Sequence, residues 1–371
     1  MLENLFDEEQ SLATERLAAL LRDPSVTQIC VNDHTRIFFW DNSGQRMIQQ
    51  RLFGSSEAYV TWLEQLLTLT DAGVAHLEDA ESAVIEASFL PYRTDLYGSV
   101  HVSTSDITRG DPALTIRKQP VEVVTLDAML MQGVINEDMR LFLQQAVQGR
   151  ASVLISGASG SGKSTMMRAL SQFIDPSQRI ITCEEIDELH LADRLPNVVS
   201  LTTHRKRDAA GRIIREQTLE DLVHESLRMR ADRIFVGEVR GAEARALIKA
   251  ASTGHDGSCA TLHAHSGEDA TRQLAGYLME GGTPEDVARD QIARAFNLVI
   301  QLGSASMGRR KVLSIHELEP VIEGTNQRAN ELYRFDHAAD IHVATVRPSQ
   351  RFINHLARYG VNYDEIPGRS F

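Results

Sequence analysis

The run Gly157-Ala158-Ser159-Gly160-Ser161-Gly162-Lys163-Ser164-Thr165 constrains this chain more than any other stretch. An apolar β-like run, Ser152-Val-Leu-Ile-Ser156, precedes it, and a helix-like run from Thr165 to Phe173 follows. G-x-x-x-x-G-K-[ST] between a strand and a helix is the P-loop pattern. Glycines let the backbone curl until consecutive N–H groups face a phosphate. The helix N-terminus adds its partial positive charge. Lys163 is expected to reach the β- and γ-phosphates, and Ser164 to ligate Mg²⁺. The expected ligands are a nucleoside triphosphate, taken as ATP, and Mg²⁺, with residues 157–165 as the cradle.

At 371 residues the chain is long enough for two domains. Its net charge of −13 disfavours non-specific binding to nucleic acid or an anionic membrane. Cys30, Cys183 and Cys259 are far apart and form no CxxC pair, which argues against zinc or a disulfide scaffold and fits a reducing cytoplasm. The N-terminal MLENLFDEEQ is acidic where a signal peptide would be basic. No apolar run approaches the roughly 18 residues of a membrane span. The expectation is a soluble, cytoplasmic protein that reaches a membrane through partners.

The first part reads as α+β. Residues Asn4 to Leu21 predict a helix with Leu12, Leu17, Leu20 and Leu21 on one side. Short β-like runs follow at Val26–Val31, Arg36–Trp40 and Gln45–Ile48, separated by turn residues. A helix is expected over Ser56–Leu69, and further strands at Ala83–Leu90, Leu96–Ser103 and Ala113–Arg117. An antiparallel sheet is therefore expected over residues 1–117, with 118–125 as a linker.

Beyond it, over 126–371, strands alternate with helices, which predicts a parallel sheet covered on both faces. Helices are expected at Glu137–Val147, Leu219–Met229 and Ala242–Ala251, with one more starting at Thr283-Pro284. Strands are expected at Arg179–Cys183, Val198–Leu201, Arg233–Gly237 and Ser258–Leu262, and a closing hairpin at Leu298–Leu302 and Lys311–Leu318. The tail from about Glu323 reads as less regular.

Three further segments carry chemistry. Glu238 ends the Arg233–Gly237 strand at the carboxyl edge of the sheet, where α/β ligands bind, and suits a Mg²⁺ shell or water positioning. Thr182-Cys-Glu184-Glu185-Ile-Asp-Glu188-Leu clusters acids just after a strand. Thr253-Gly254-His255-Asp-Gly257 permits a tight turn into a strand that delivers His263 at its end, where a histidine can sense the γ-phosphate.

Taken in chain order after the P-loop, the 182–189, 233–238 and 253–263 segments resemble the Asp box, Walker B and His box of the secretion (traffic) ATPase superfamily. Leu227-Arg-Met-Arg-Ala-Asp-Arg-Ile-Phe-Val-Gly-Glu-Val-Arg-Gly-Ala-Glu243 resembles its pattern without a gap, and Ala113-Leu-Thr-Ile-Arg117-Lys resembles the end of its N-terminal domain. The resemblance covers about residues 20–320. The short N-terminal part is more similar to the type IV secretion and conjugation branch than to the type II branch, and there is no four-cysteine metal element. The resemblance implies a RecA-like motor domain with a smaller α+β, PAS-like N-terminal domain, assembled as a homohexamer. It implies ATP hydrolysis that powers a secretion machine, docking on inner-membrane components, and only indirect contact with a protein or nucleoprotein cargo. It implies that Lys163 and Ser164 bind phosphate and Mg²⁺, that Glu184, Glu188 and Glu238 organise metal and water, and that His263 couples γ-phosphate to motion. Arg117, with Arg93 as a weaker candidate, would approach the phosphates from the N-terminal domain, and Arg240 would act similarly. Glycine at 237 leaves Glu238 alone where many P-loop ATPases add an aspartate. Which of Glu184, Glu185, Glu188 and Glu238 activates water stays open at this stage. The basic run His204-Arg-Lys-Arg207 reads as a solvated loop or, alternatively, a ring-lining or docking patch. A pilus or type II secretion motor, a nucleic-acid motor and a nucleotide-gated scaffold are the alternative functions.

Overall fold

The computed structural model describes residues 11–363 except 24, 42–43, 49–52, 71, 73, 75, 81, 90–97, 119–123, 208–212, 306–308 and 321–327. The chain divides into two compact units, Met1–Glu122 with Arg205–Glu216, and Val123–His204 with Gln217–Phe371.

The first unit contains α1 (Ser11–Arg22), β1 (Val26–Asp33), β2 (Arg36–Asp41), β3 (Gly44–Ile48), α2 (Ser56–Leu67), β4 (Val84–Ser88), β5 (Gly98–Ser103) and β6 (Ala113–Lys118). The strands form one antiparallel sheet in the order β3-β2-β1-β6-β5-β4. Alternation buries Val100 and Val102 of β5 and Leu114 and Ile116 of β6 on one face. Tyr59, Trp62, Leu63 and Leu66 of α2 pack onto the same core. The Ser55 hydroxyl caps α2 by accepting the Ala58 N–H. Leu17 and Leu21 of α1 are buried there too, so its leucine side serves the core of this unit. The side chain of Leu12 lies outside the described residues, as do Arg93 and most of the 118–125 linker. Arg117 stands exposed on β6, in register with Gln28 and Ser99.

The second unit opens with α3 (Leu126–Met131), which sequence reading missed, and α4 (Glu137–Gln148). Asn136 caps α4, and Glu137 and Asp138 in its first turn complement the helix dipole. Then come, in chain order, β7 (Val153–Gly157), α5 (Lys163–Ser171), β8 (Ile180–Glu184), β9 (Val198–Thr202), β10 (His204–Arg207), β11 (Ile213–Gln217), α6 (Leu219–Ser226), β12 (Arg233–Val236), α7 (Glu243–Ser252), β13 (Cys259–Leu262), α8 (Gly267–Glu280), α9 (Glu285–Ala295), β14 (Leu298–Ser304) and β15 (Arg310–Glu319), of which β10 and β11 fall, but for their outermost residues, in the first unit. The chain closes with β16 (Arg328–Asp336), β17 (Ile341–Ala344) and α10 (Gln350–Arg358).

Nine strands form one sheet in the order β17-β16-β15-β14-β7-β13-β12-β8-β9. From β14 to β9 every pairing is parallel, and β15–β17 add antiparallel strands at one edge. Strands β7, β8, β12 and β13 are buried at every residue, as expected when helices cover both faces. One face packs Val153, Ile155 and Ile300 with α4 and α5; the other packs Leu154, Val236 and Val299 with α7, α8 and α9.

Two expectations are corrected. The tail is regular: β16 and β17 extend the sheet, and Phe352 and Leu356 of α10 join the α4 core. The basic run at 204–207 is no irregular loop but strand β10, paired with β11 in a two-stranded sheet. Several ends also move by one to three residues. Helix α6 stops at Ser226, and Glu184 is the last residue of β8.

Candidate active site

The expected phosphate cradle joins β7 to α5. Gly160 (φ +73°) and Gly162 (φ +100°) adopt left-handed backbone that side chains rarely take. A Cβ at Gly157 would lie 2.5 Å from Ser161 Oγ and 2.6 Å from Leu302 O, so this close approach also requires glycine. Ser161 Oγ is buried and has no hydrogen-bond partner among the described residues. A buried hydroxyl left over in a glycine loop fits a phosphate acceptor.

Lys163, the first residue of α5, is buried. Its Nζ donates to Gly157 O (3.1 Å) and Ala158 O (3.2 Å) and lies 3.1 Å from His263 Nδ1. His263 directly follows β13, whose Leu262 is in register with Ser156. On its other side, His263 Nε2 is 2.6 Å from Glu238 Oε1. That approach is close but not aligned as a hydrogen bond, and no other donor reaches the Glu238 oxygen among the described residues.

Glu238 Oε2 accepts from Arg240 Nη2 at 3.1 Å, and Glu185 Oε2 accepts from Arg240 Nη1 at 2.7 Å. Arg240 therefore spans two carboxylates, one from each acidic segment. The Glu243 carboxylate accepts the backbone N–H groups of Arg240 and Gly241, which fixes the chain just beyond Glu238. Thr261 Oγ1 donates to Gly237 O at 2.5 Å and ties β13 to the end of β12.

Glu184 is only 3% exposed. Its Oε1 accepts the backbone N–H groups of Glu188 and Leu189, both at 3.2 Å, while Oε2 is buried without a partner among the described residues. Burial first, and then the charge of Asp187, hold its carboxyl well above the usual carboxylate range. Its approach explains Gly237. A Cβ there would lie 2.9 Å from Glu184 Cγ and 3.2 Å from Oε1. Glu188 reaches the P-loop helix instead, and its Oε2 accepts from Ser164 Oγ at 3.3 Å.

Lys163, His263, Glu238, Arg240 and Glu185 thus form one chain of contacts along the carboxyl edge of the parallel strands, where α/β sheets bind ligands. Ser164, Glu188 and Glu184 form a second chain. Arg117 belongs to the other unit. Among the described residues no group of three or more His, Cys, Asp or Glu side chains is placed to hold a metal. A hydroxyl with one nearby carboxylate still suits Mg²⁺, which keeps several waters and takes its remaining ligands from phosphate. In this structure Glu188 is the carboxylate beside Ser164. Sequence reading saw the acids but missed the reason for glycine at 237, which only the packing across two strands reveals.

Fold and site together define a P-loop ATPase. The profile of the family described as "Type II/IV secretion system protein" matches residues 17–346, and the chain belongs to that family. It is 34% identical over 245 residues to the uncharacterized protein MJ0781 of Methanocaldococcus jannaschii; that match spans 65% of this chain and 32% of the longer relative. It is 29% identical to the conjugal transfer protein TrbB of Rhizobium radiobacter, covering 88% of this chain and 95% of TrbB. The crystal structure of the pilus retraction motor PilT with bound ADP shares the RecA-like fold, with a TM-score of 0.61 at 18% identity, covering 84% of this chain and 83% of PilT. Among the described residues no helix is long and apolar enough to cross a membrane.

Proposed function

We propose that this chain is the ATP-hydrolysing motor of a type IV secretion or conjugation system. It works as a homohexameric ring at the cytoplasmic face and is recruited to the inner membrane by partners. Family membership and the TrbB likeness support the machine. We read residues 1–117 as the PAS-like N-terminal domain, residues 118–125 as the linker about which it hinges, and Arg117 as a phosphate clamp. An arginine suits that role because its planar fork pairs with phosphate oxygens in two places.

The observation that carries the reading is the pairing of Lys163 with His263 beside an array of carboxylates in four different settings. Lys163 binds the β- and γ-phosphates. Ser164 and Glu188 would hold Mg²⁺, directly or through water, and an ion there would supply neutralisation of charge on the phosphate oxygens. Glu184 is the general base. Burial raises its carboxyl, and it has one oxygen fixed by two amides and the other without a donor among the described residues. It takes a proton from the attacking water as oxygen bonds to the γ-phosphorus and the bond to ADP breaks. Glu238 is held by Arg240 and orients His263.

The test is phosphate release from Mg-ATP, followed on fractions sized by light scattering. Wild-type particles near six subunits that hydrolyse ATP, with Lys163→Ala silent, are the expected result. Hydrolysis retained in Lys163→Ala would sink the assignment.

A further inference from the structure

A buried amide in the sheet has no role in the reading above. Gln301 is 4% exposed and interrupts the otherwise apolar Leu298-Val-Ile-Gln-Leu302 run of β14. It follows Val299 onto the face covered by α7, α8 and α9. Its parallel neighbour in register is Ser156, the residue before Gly157. Toward β15 the register shifts between Gln301 and Leu302, a bulge of the kind that re-aims a side chain beside an active site.

The amide is fully used. Oε1 accepts from Ser156 Oγ at 2.5 Å. Nε2 donates to Leu302 O at 3.2 Å and to Ala264 O at 3.3 Å. Ala264 is the residue after His263, and Ser156 precedes the carbonyl that holds Lys163 Nζ. One side chain therefore joins the strand entering the P-loop to the backbone leaving the His box. Leucine would fill similar space without these bonds, leaving the Ser156 hydroxyl only its long bond to Ile300 O at 3.4 Å and taking a donor from the Ala264 carbonyl.

We propose that Gln301 is a positioning residue for ATP hydrolysis, setting His263 against Lys163 so that the two respond to the γ-phosphate as one body. The inference rests on the ATPase reading and adds a residue to it. Gln301 touches neither phosphate nor water; it acts through the backbone at 264 and at 156.

The experiment compares Gln301→Leu and Gln301→Glu with wild type, alone and in a His263→Ala background. Glutamate keeps the size but loses the donor to Ala264. Both variants should lower kcat at least tenfold and leave the KM for ATP within about twofold; each also leaves buried polar groups unpaired, so the melting temperature should fall, and turnover is compared well below it. In the His263→Ala background the same changes should cost almost nothing more, because residues that act through one another are non-additive. Hydrogen exchange at the amides of 263–266 should speed up in both variants, whether or not the protein turns over. Unchanged kcat and exchange, or losses that add fully to those of His263→Ala, overturn the proposal. If one variant misfolds, the other supplies every readout. Wild-type protein that fails to hydrolyse ATP would overturn the motor reading, while the exchange experiment would still decide the role of Gln301.

Discussion

His263 Nδ1 lies 3.1 Å from Lys163 Nζ, and its Nε2 lies 2.6 Å from Glu238 Oε1. An ammonium carries only donors, so Nδ1 must be the acceptor and the ring proton sits on Nε2, facing the carboxylate. The imidazole thus stands between Lys163 on one side and the Glu238 carboxylate on the other. Arriving phosphate would compete for Lys163 and release Nδ1, converting occupancy into a side-chain change. His263→Ala should lower kcat about a hundredfold, the scale of losing one well-placed polar group, while Mg-ATP still binds. Titration with a fluorescent ATP analogue beside steady-state turnover checks it. Wild-type turnover in that variant would remove His263 from the mechanism.

Glu184 gives a prediction with opposite signs for stability and activity. Its carboxyl is raised above its unfolded-state value by burial and by Asp187. A carboxyl raised on folding contributes stability fully present below its unfolded pKa, and that contribution is lost as pH rises through the folded value. The neutral amide of Glu184→Gln escapes this loss. Without nucleotide, the variant should therefore melt above wild type by a margin that grows from pH 5 upward. Its kcat should fall by roughly 10²–10⁴-fold for want of a base. Parallel melting curves at pH 5 and pH 8 with phosphate-release assays decide the point. A variant that is equally active would pass the role of base to another acid.

What the sequence disclosed follows the range of the forces involved. The P-loop, the Gly254–Gly257 turn and the strand leading to Glu238 were legible because each is local: a glycine spacing, a turn, an apolar run with an acid at its end. The division of labour among the acids was not, because it depends on contacts between strands far apart in the chain. Glu184 is set apart by Gly237 and Asp187, and Glu188 by Ser164. The tail was misread for a different reason. In β16 the consecutive residues Leu332 and Tyr333 are both buried, and β15 shifts register between Ile315 and His316, so the two-residue alternation that marks a strand is broken. Helix α10 did carry its signals, a Ser349 cap and the Phe352–Leu356 spacing, but it is only nine residues long.

Glycine at 237 is predicted to be a requirement of space, not of backbone freedom. Alanine would bring a Cβ within 2.9 Å of Glu184 Cγ. Both strands are buried, so little can shift, and overpacking of this kind costs about 1–3 kcal/mol. Gly237→Ala should be destabilised by that amount and lose activity as the Glu184 carboxyl is pushed from its two amides. Adding Glu184→Ala removes the obstacle, so chemical denaturation should show the double variant less destabilised than the sum of the two single changes. Strict additivity would mean that the two residues do not compete for the same space.

Arg240 closes the carboxylate array and should matter for activity far more than for stability. Its guanidinium side chain is 57% exposed, and ion pairs in that setting contribute only about 0–1 kcal/mol. What it does supply is geometry, since one planar fork meets Glu185 at 2.7 Å and Glu238 at 3.1 Å. Lysine has a single point charge and cannot span both in fixed directions. Arg240→Ala should therefore leave the melting temperature nearly unchanged and lower kcat about tenfold or more, as Glu238 loses the partner that aims it at His263. Arg240→Lys should recover only part of that loss. Full recovery with lysine would show that charge alone is needed, and that the two-carboxylate bridge is incidental to turnover.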